Sequence, residues 1–257
     1  MRSELRHLIL STATAGLALI CLSGCPTRPQ GPEAPSAAKV GVVPQPPGPP
    51  QPLRHEGRPF DVASQVSLLK ILAYRGGTLA KVGHNHVIAS HDVSGTFYVP
   101  DDISRSTFEL DVPVAQMTID EPELRAEEGP DFPTDVSDSA KEGTRRNMLS
   151  EALLSATLYP DITLVSQRID ATAAGSRVRA DVQVTVRGQT HTLSVPVTYS
   201  LVNGELTASG DLLIKQTDLG LTPFSAMLGA LAVQDELRVK FRIVARAATT
   251  HRPASGR

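Results

Sequence analysis

The chain has 257 residues, with 25 Lys and Arg against 27 Asp and Glu, no tryptophan, six Phe and four Tyr. A net charge of -2 argues against a nucleic-acid binder, which usually needs a basic face. The two cysteines are Cys21 and Cys25, four residues apart near the N-terminus, so the body of the chain has to be held together by its core without disulfides.

The first twenty-odd residues carry a positive start (Arg2, Arg6, His7), followed by an apolar and small-residue run from Leu8 to Leu22. That run is short for a membrane span and suits a signal peptide over residues 1–24. Leu22-Ser23-Gly24-Cys25 resembles the bacterial lipobox, an aliphatic residue and two small residues ahead of a cysteine. The resemblance implies cleavage before Cys25, a diacylglyceryl group on its sulfur, acylation such as palmitate, and a membrane anchor. Pro26 follows the cysteine in place of the aspartate that retains such proteins at the inner membrane. The expected location is therefore the bacterial cell envelope, at the outer membrane and facing the periplasm. Residues 25–59 then form a linker. Pro26 to Pro59 holds 11 of the 20 prolines, a composition that cannot bury a core and favours extended polyproline II.

From residue 60 to about 249 the apolar pattern takes period two, leaving 250–257 as a tail. Runs at Val66–Tyr74 and Val93–Val99 predict strands. In Thr107–Val114, Phe108, Leu110, Val112 and Val114 alternate with polar positions. Glu121–Ser139 is acidic and contains prolines, and reads as an irregular insert with one helical turn. Thr144–Leu154 predicts a helix, with Met148, Leu149, Ala152 and Leu153 on one face. Ile162–Ile169 is a weaker strand run.

The clearest strand is Arg177–Arg187, where Val178, Ala180, Val182, Val184 and Val186 face one way. Leu193–Tyr199 alternates similarly, and Pro196 within it predicts an edge or a bulge. Asn203-Gly204 is a type I′ hairpin signal ahead of Leu206–Ile214. Thr222-Pro223 predicts a helix start, with Phe224, Met227, Leu228 and Leu231 as its apolar stripe. Leu237–Ala245 is the last strand. About eight strands with two or three short helices, and no strand–helix alternation, predict a mainly all-β domain. It is either an eight-stranded antiparallel barrel or a two-sheet sandwich.

Lys81–Asp92, KVGHNHVIASHD, places three of the seven histidines within eight positions. His84 and His86 share one face of an extended strand, whereas His91 falls on the other. Three roles stay open for the pair: a strand end satisfied by backbone and water, polar contact with a ligand head group, or two nitrogens for zinc or copper with His191 as a third. No HExxH, CxxC, paired-carboxylate or GxSxG motif points to an enzyme.

Several stretches, in order, resemble the YceI-like family of bacterial exported proteins. Val93-Ser94-Gly95-Thr96-Phe97 is similar to its early strand. Ser106–Val114 with Met117-Thr118-Ile119-Asp120 is similar to the next strand and its exit. Asn147-Met148-Leu149 through Tyr159-Pro160-Asp161-Ile162-Thr163, then Val186-Arg187-Gly188-Gln189-Thr190-His191, then Ile214–Gly220 and Asp235–Val244, complete the resemblance over residues 64–248. It implies a lipocalin-like barrel whose cavity holds an isoprenoid-type or other long apolar lipid, with a quinone as a further candidate. It implies no catalysis, and no cofactor or metal. Phe97, Phe108, Met117, Met148, Leu149, Leu153, Phe224 and Met227 are the candidate apolar lining, and His84 and His86 the candidate polar contacts. A metal-binding barrel using that pair, or a non-catalytic envelope scaffold, are the alternatives. The lipobox with its proline linker, the second histidine and the long acidic insert depart from the family pattern.

Overall fold

A computed structural model describes residues 55–172 and 175–248. The expected signal peptide, Cys25, the linker up to residue 54 and the tail lie outside the described residues. The strands are β1 (Arg58–Val62), β2 (Leu68–Gly76), β3 (His86–Ser90), β4 (Ser94–Val99), β5 (Thr107–Pro113) and β6 (Thr118–Ile119). They continue with β7 (Asp161–Ala171), β8 (Arg177–Val186), β9 (Gln189–Val202), β10 (Glu205–Lys215), β11 (Ser225–Ala226) and β12 (Leu231–Ala247). Two helices, α1 (Pro122–Ala126) and α2 (Asp138–Leu149), lie between β6 and β7.

Every pairing is antiparallel, and β12 closes on β1, so the sheet is a barrel and not a sandwich. Three of its staves are broken in two. β1 and β2 both pair with β12, β3 and β4 pair with β2 and β1, and β5 and β6 pair with β4 and β3. Counting each broken pair once gives eight staves, a number whose interior suits side chains or one ligand. The first break is a short 3-10 turn at Ser64–Val66. There Ser67 Oγ takes over the ladder, accepting from Val244 N at 3.0 Å and facing Val244 O at 3.3 Å.

β8 follows its alternation closely: Val178, Ala180, Val182, Val184 and Val186 are all buried inside the barrel. β2 does not alternate, because both of its faces are covered. Leu69, Ile71 and Ala73 face the interior, while Leu72, with Val87 and Ala89 of β3, packs outside against Leu124 and Phe132 of the 121–139 insert. The insert is pinned there by Glu128, whose carboxylate is held by Lys70 at 2.6 Å and by Lys240.

Pro196 sits where the sequence places an edge. The β9–β10 ladder runs only from Val202/Glu205 to Thr198/Ser209, so beyond it β9 is paired by β8 alone.

Two helix expectations are corrected. α2 starts at Asp138, six residues before the expected Thr144, because Ser137 Oγ accepts from Ala140 N and caps it. It ends at Leu149, so Ala152 and Leu153 lie in turns. The stretch after Pro223 is no helix: β11 pairs with the start of β12 around a turn at Met227–Gly229. Two consecutive left-handed residues, Met227 (φ 51°) and Leu228 (φ 56°), make the hairpin, a conformation that bulky residues give no sequence signal for. The first strand also begins at Arg58, inside the stretch assigned to the linker.

Candidate functional site

The two poles of the barrel differ. At the pole holding Arg58, Val99 and Ala247, Phe97 and Phe108 meet across β4 and β5 with ring centroids 5.4 Å apart. A void of about 50 Å³ lies there. At the other pole a cavity of about 400 Å³ opens among the ends of β2, β8 and β10 and the starts of β3, β7 and β12. That volume lies in the range of small-ligand sites. Ile71, Ile88, Val184, Val186, Ile214 and Leu237 are among the apolar side chains lining its walls.

α2 lies over this pole. Ala140, Gly143, Thr144, Asn147 and Met148, spaced at helical i, i+3, i+4 intervals, face the cavity. Most of that stripe is small, so the helix covers the opening without filling it.

The expected lining residues divide accordingly. His84, His86, Met117, Met148, Leu153 and Phe224 line the large cavity. Phe97 and Phe108 face inward but line the small void at the opposite pole, so they are core residues relative to this site. Leu149 packs against the core and is not in the lining. Met227 points outward, 69% exposed, because its stretch forms a hairpin tip in place of a helix.

The histidine parity holds. His84 and His86 both line the cavity with ring centroids 6.2 Å apart, while His91 lies outside it and meets Glu121 Oε1 at 2.9 Å. His191 packs against Gly220, where an added Cβ would lie 3.2 Å from its Nε2. Among the described residues no three His, Cys, Asp or Glu side chains gather as a metal site needs.

No spacing in the chain announces the polar network behind His86. Asp120 and Arg125, both 0% exposed, lie directly beneath it. His86 Nδ1–H donates to Asp120 Oδ2 at 2.6 Å, and Val87 N donates to Asp120 Oδ1 at 2.8 Å. Arg125 Nη1 donates both to Asp120 Oδ1 and, at 2.6 Å, to Asn85 O. Arg125 Nε donates to Pro133 O at 2.6 Å, tying the insert to the site.

Burial pushes the Asp120 carboxyl up. The hydrogen bonds from His86 and Val87 N and the charges of His86 and Arg125 outweigh it and hold the group below the usual carboxylate range. With Nδ1 fixed on Asp120, His86 turns Nε2 toward Thr144 Oγ1 of α2 at 3.3 Å, beside the cavity. The Thr144 hydroxyl also reaches Ala140 O, at 3.1 Å, so its proton can serve either acceptor. Arg75, Asn147 and Gln216 complete the polar part of a mainly apolar lining. The arrangement suits an apolar chain whose single polar end meets imidazole, hydroxyl and amide groups. Asn85, His86 and Val87 lie in KVGHNHVIASHD, Asp120 ends Met117-Thr118-Ile119-Asp120 and Arg125 lies in the acidic insert, but nothing in their spacing joins them.

The sequence pattern of the YceI-like domain matches residues 64–245, from just after β1 almost to the end of β12. The chain belongs to the YceI-like family. Two solved structures share the YceI-like barrel seen here. BcnA of Burkholderia cenocepacia is 19% identical, with 72% of this chain and 99% of that one covered at a TM-score of 0.52. A polyisoprenoid binding domain from Saccharophagus degradans, implicated in plant cell wall breakdown, is 12% identical, with 74% and 98% covered at a TM-score of 0.50. At these identities the likeness is one of fold. No curated protein matches the chain.

Family stretches acquire physical reasons in this YceI-like barrel. Gly95 (φ 130°) crosses β5 so closely that a Cβ would lie 2.1 Å from Glu109 O. Gly188 (φ 69°) lies under the Tyr159 ring, where a Cβ would come within 2.8 Å, which links the Tyr-Pro turn to the β8–β9 hairpin.

Proposed function

We propose that this protein binds and carries a long apolar lipid of isoprenoid type in the bacterial envelope, with its chain in the barrel and its polar end beside His84 and His86. The observation that supports this most is the apolar cavity of about 400 Å³ beneath α2, with its few polar groups beside a buried Asp120–Arg125 pair. Affinity would come from area removed from water, about 0.8 kcal/mol per buried CH₂, and orientation from the polar groups. The family, and the polyisoprenoid binding domain among the structural neighbours, favour this ligand class. The reading is one of binding without catalysis. Cys25, diacylated, would hold the protein at the outer membrane on its proline-rich tether.

Mass spectrometry of organic extracts from the purified protein tests the ligand. One polyprenyl-type lipid per chain is expected, and extracts without any apolar lipid above background would refute the reading. For the anchor, a Cys25→Ala protein that still fractionates with membranes would refute lipidation.

A further inference from the structure

We propose that the open pole carries a membrane-docking lip, the tip of Met227 and Leu228 beside Leu79 and Val82, which inserts into an anionic lipid surface and places the cavity mouth against it. Leu228 is fully exposed, Val82 is 71% exposed and Met227 69%. These side chains belong to two neighbouring loops joined by a hydrogen bond from Leu79 N to Ala230 O at 2.7 Å. Val82 itself lines the cavity, as do Phe224 and Leu231 on either side of the tip, so the apolar patch is continuous with the mouth.

The tip is also strained. Met227 and Leu228 both hold left-handed backbone, with φ 51° and 56°, where Asn, Asp or Gly would sit more easily. Two large apolar side chains kept in that conformation and facing outward gain nothing from packing, and a bilayer interface is where such groups are stabilised.

Charge points to the same partner. Residues 75–86 contain Arg75 and Lys81 and no Asp or Glu, and residues 219–234 contain no charged side chain. In a chain with more acids than bases, these two loops carry no carboxylate, which favours their approach to anionic phospholipid.

The tether permits the contact. β1 enters at the closed pole, and β12, 17 residues long, spans the barrel from Ala247 there to Leu231 at the mouth. At ~3.3 Å per residue and a tilt of ~40°, that is ~40 Å along the axis. The roughly thirty residues between Cys25 and Arg58 reach up to ~100 Å when extended. A protein anchored through Cys25 can therefore turn its mouth to the membrane that holds it.

The absence of tryptophan makes the test clean. The lipidated full chain carrying Leu228→Trp, on vesicles of phosphatidylethanolamine and phosphatidylglycerol, is expected to show blue-shifted emission quenched by brominated acyl chains. Alongside it, the unlipidated chain from Pro26 onward, which contains the whole self-closed barrel, is compared with its Met227→Asn/Leu228→Asp variant by vesicle co-sedimentation. Partition should fall at least ~tenfold, the loss expected from removing two inserted apolar side chains. The Tm should be unchanged or higher, since both replacements fit the left-handed backbone better; a merely structural tip predicts a lower Tm. Water-exposed Trp emission, unchanged partition, or a concentration-dependent dimer lost in the variant without vesicle binding would each overturn the proposal. The inference rests on the lipid-carrier reading only for what enters the mouth. Docking by a protein whose extracts hold no lipid would refute that reading alone, and retained lipid without docking would refute the lip alone.

Discussion

Replacing Asp120 by Asn isolates the charge at the base of the site while keeping its shape. Val87 N and Arg125 Nη1 both donate to Oδ1, which Asn retains, while Oδ2, the acceptor for His86 Nδ1–H, becomes an amide donor. Two losses follow. His86 loses a charge-assisted bond of about 1.5–3 kcal/mol and has to move its proton to Nε2. Arg125, 0% exposed, loses the counter-charge of Asp120, and breaking a buried pair in this way costs about 3–5 kcal/mol in all. For a domain of this size that is a fall in Tm of ~6–20 °C.

The pH dependence has a definite sign. The folded carboxyl titrates below its ordinary value of 3.8. Its contribution is therefore complete above that unfolded value and is lost as pH falls through the lower folded one, so wild type and variant should converge in acid. Thermal unfolding followed by circular dichroism at pH 7 and across the acid range measures both effects. Arg125→Met in the Asp120→Asn background should cost less than the sum of the two single changes, because no unpaired charge remains. A Tm within ~2 °C of wild type together with additive single and double changes would refute the buried-pair reasoning.

Gly95→Ala should lower stability by more than ~3 kcal/mol in urea titrations, since its Cβ would meet Glu109 O at 2.1 Å in left-handed backbone. Val184→Trp, on the cavity wall, should cut the co-purified lipid several-fold while costing about 1–3 kcal/mol, as read by mass spectrometry and thermal melts of the same sample. Glu128→Gln should cost ~2–4 kcal/mol and expose the 121–139 insert to limited proteolysis, because the Glu128 side chain is 4% exposed between Lys70 and Lys240. Burial opposes the charge of Lys70, but Glu127 and Glu128 hold it above its ordinary 10.5, so its contribution is whole below that value and lost as pH rises through the higher folded one. Alkaline melts of wild type should show that loss, and melts of Glu128→Gln a smaller one.

The parts of the fold legible in the sequence are those with one wet face. β8 alternates because its outer side chains meet solvent, and the parity that joins His84 to His86 and excludes His91 follows from the same period of two. β2 hides its alternation because the insert buries Leu72 and Lys70 on the outside. α2 was misplaced because its cavity-facing stripe of Ala140, Gly143 and Thr144 is too small and polar to register as an apolar face. Phe97 and Phe108 were assigned to the ligand on residue type, yet the pole a strand end belongs to depends on which ladders continue and which stop. The Asp120–Arg125–His86 network joins positions 34 residues apart, and no spacing in the chain announces it.

Ladders stop at both poles, and what fills the gap differs. At the closed pole the β5–β7 ladder ends at Glu109/Val165 and β8 leaves β9 beyond Thr198, but Phe97 and Phe108 fill the end. At the open pole β6 pairs with β3 alone, and β9 parts from β10 beyond Thr198/Ser209, so two seams separate the staves. α2 spans the first seam, and the turn at Thr217–Leu221 packs on β9 beside the second. An apolar space of about 400 Å³ forgoes the close packing of an ordinary core. Longer side chains at Ala140 and Gly143 would fill much of it without altering any strand. A chain that instead places small residues on the covering helix, and keeps a buried ion pair under His86, has the form of a container for an apolar ligand.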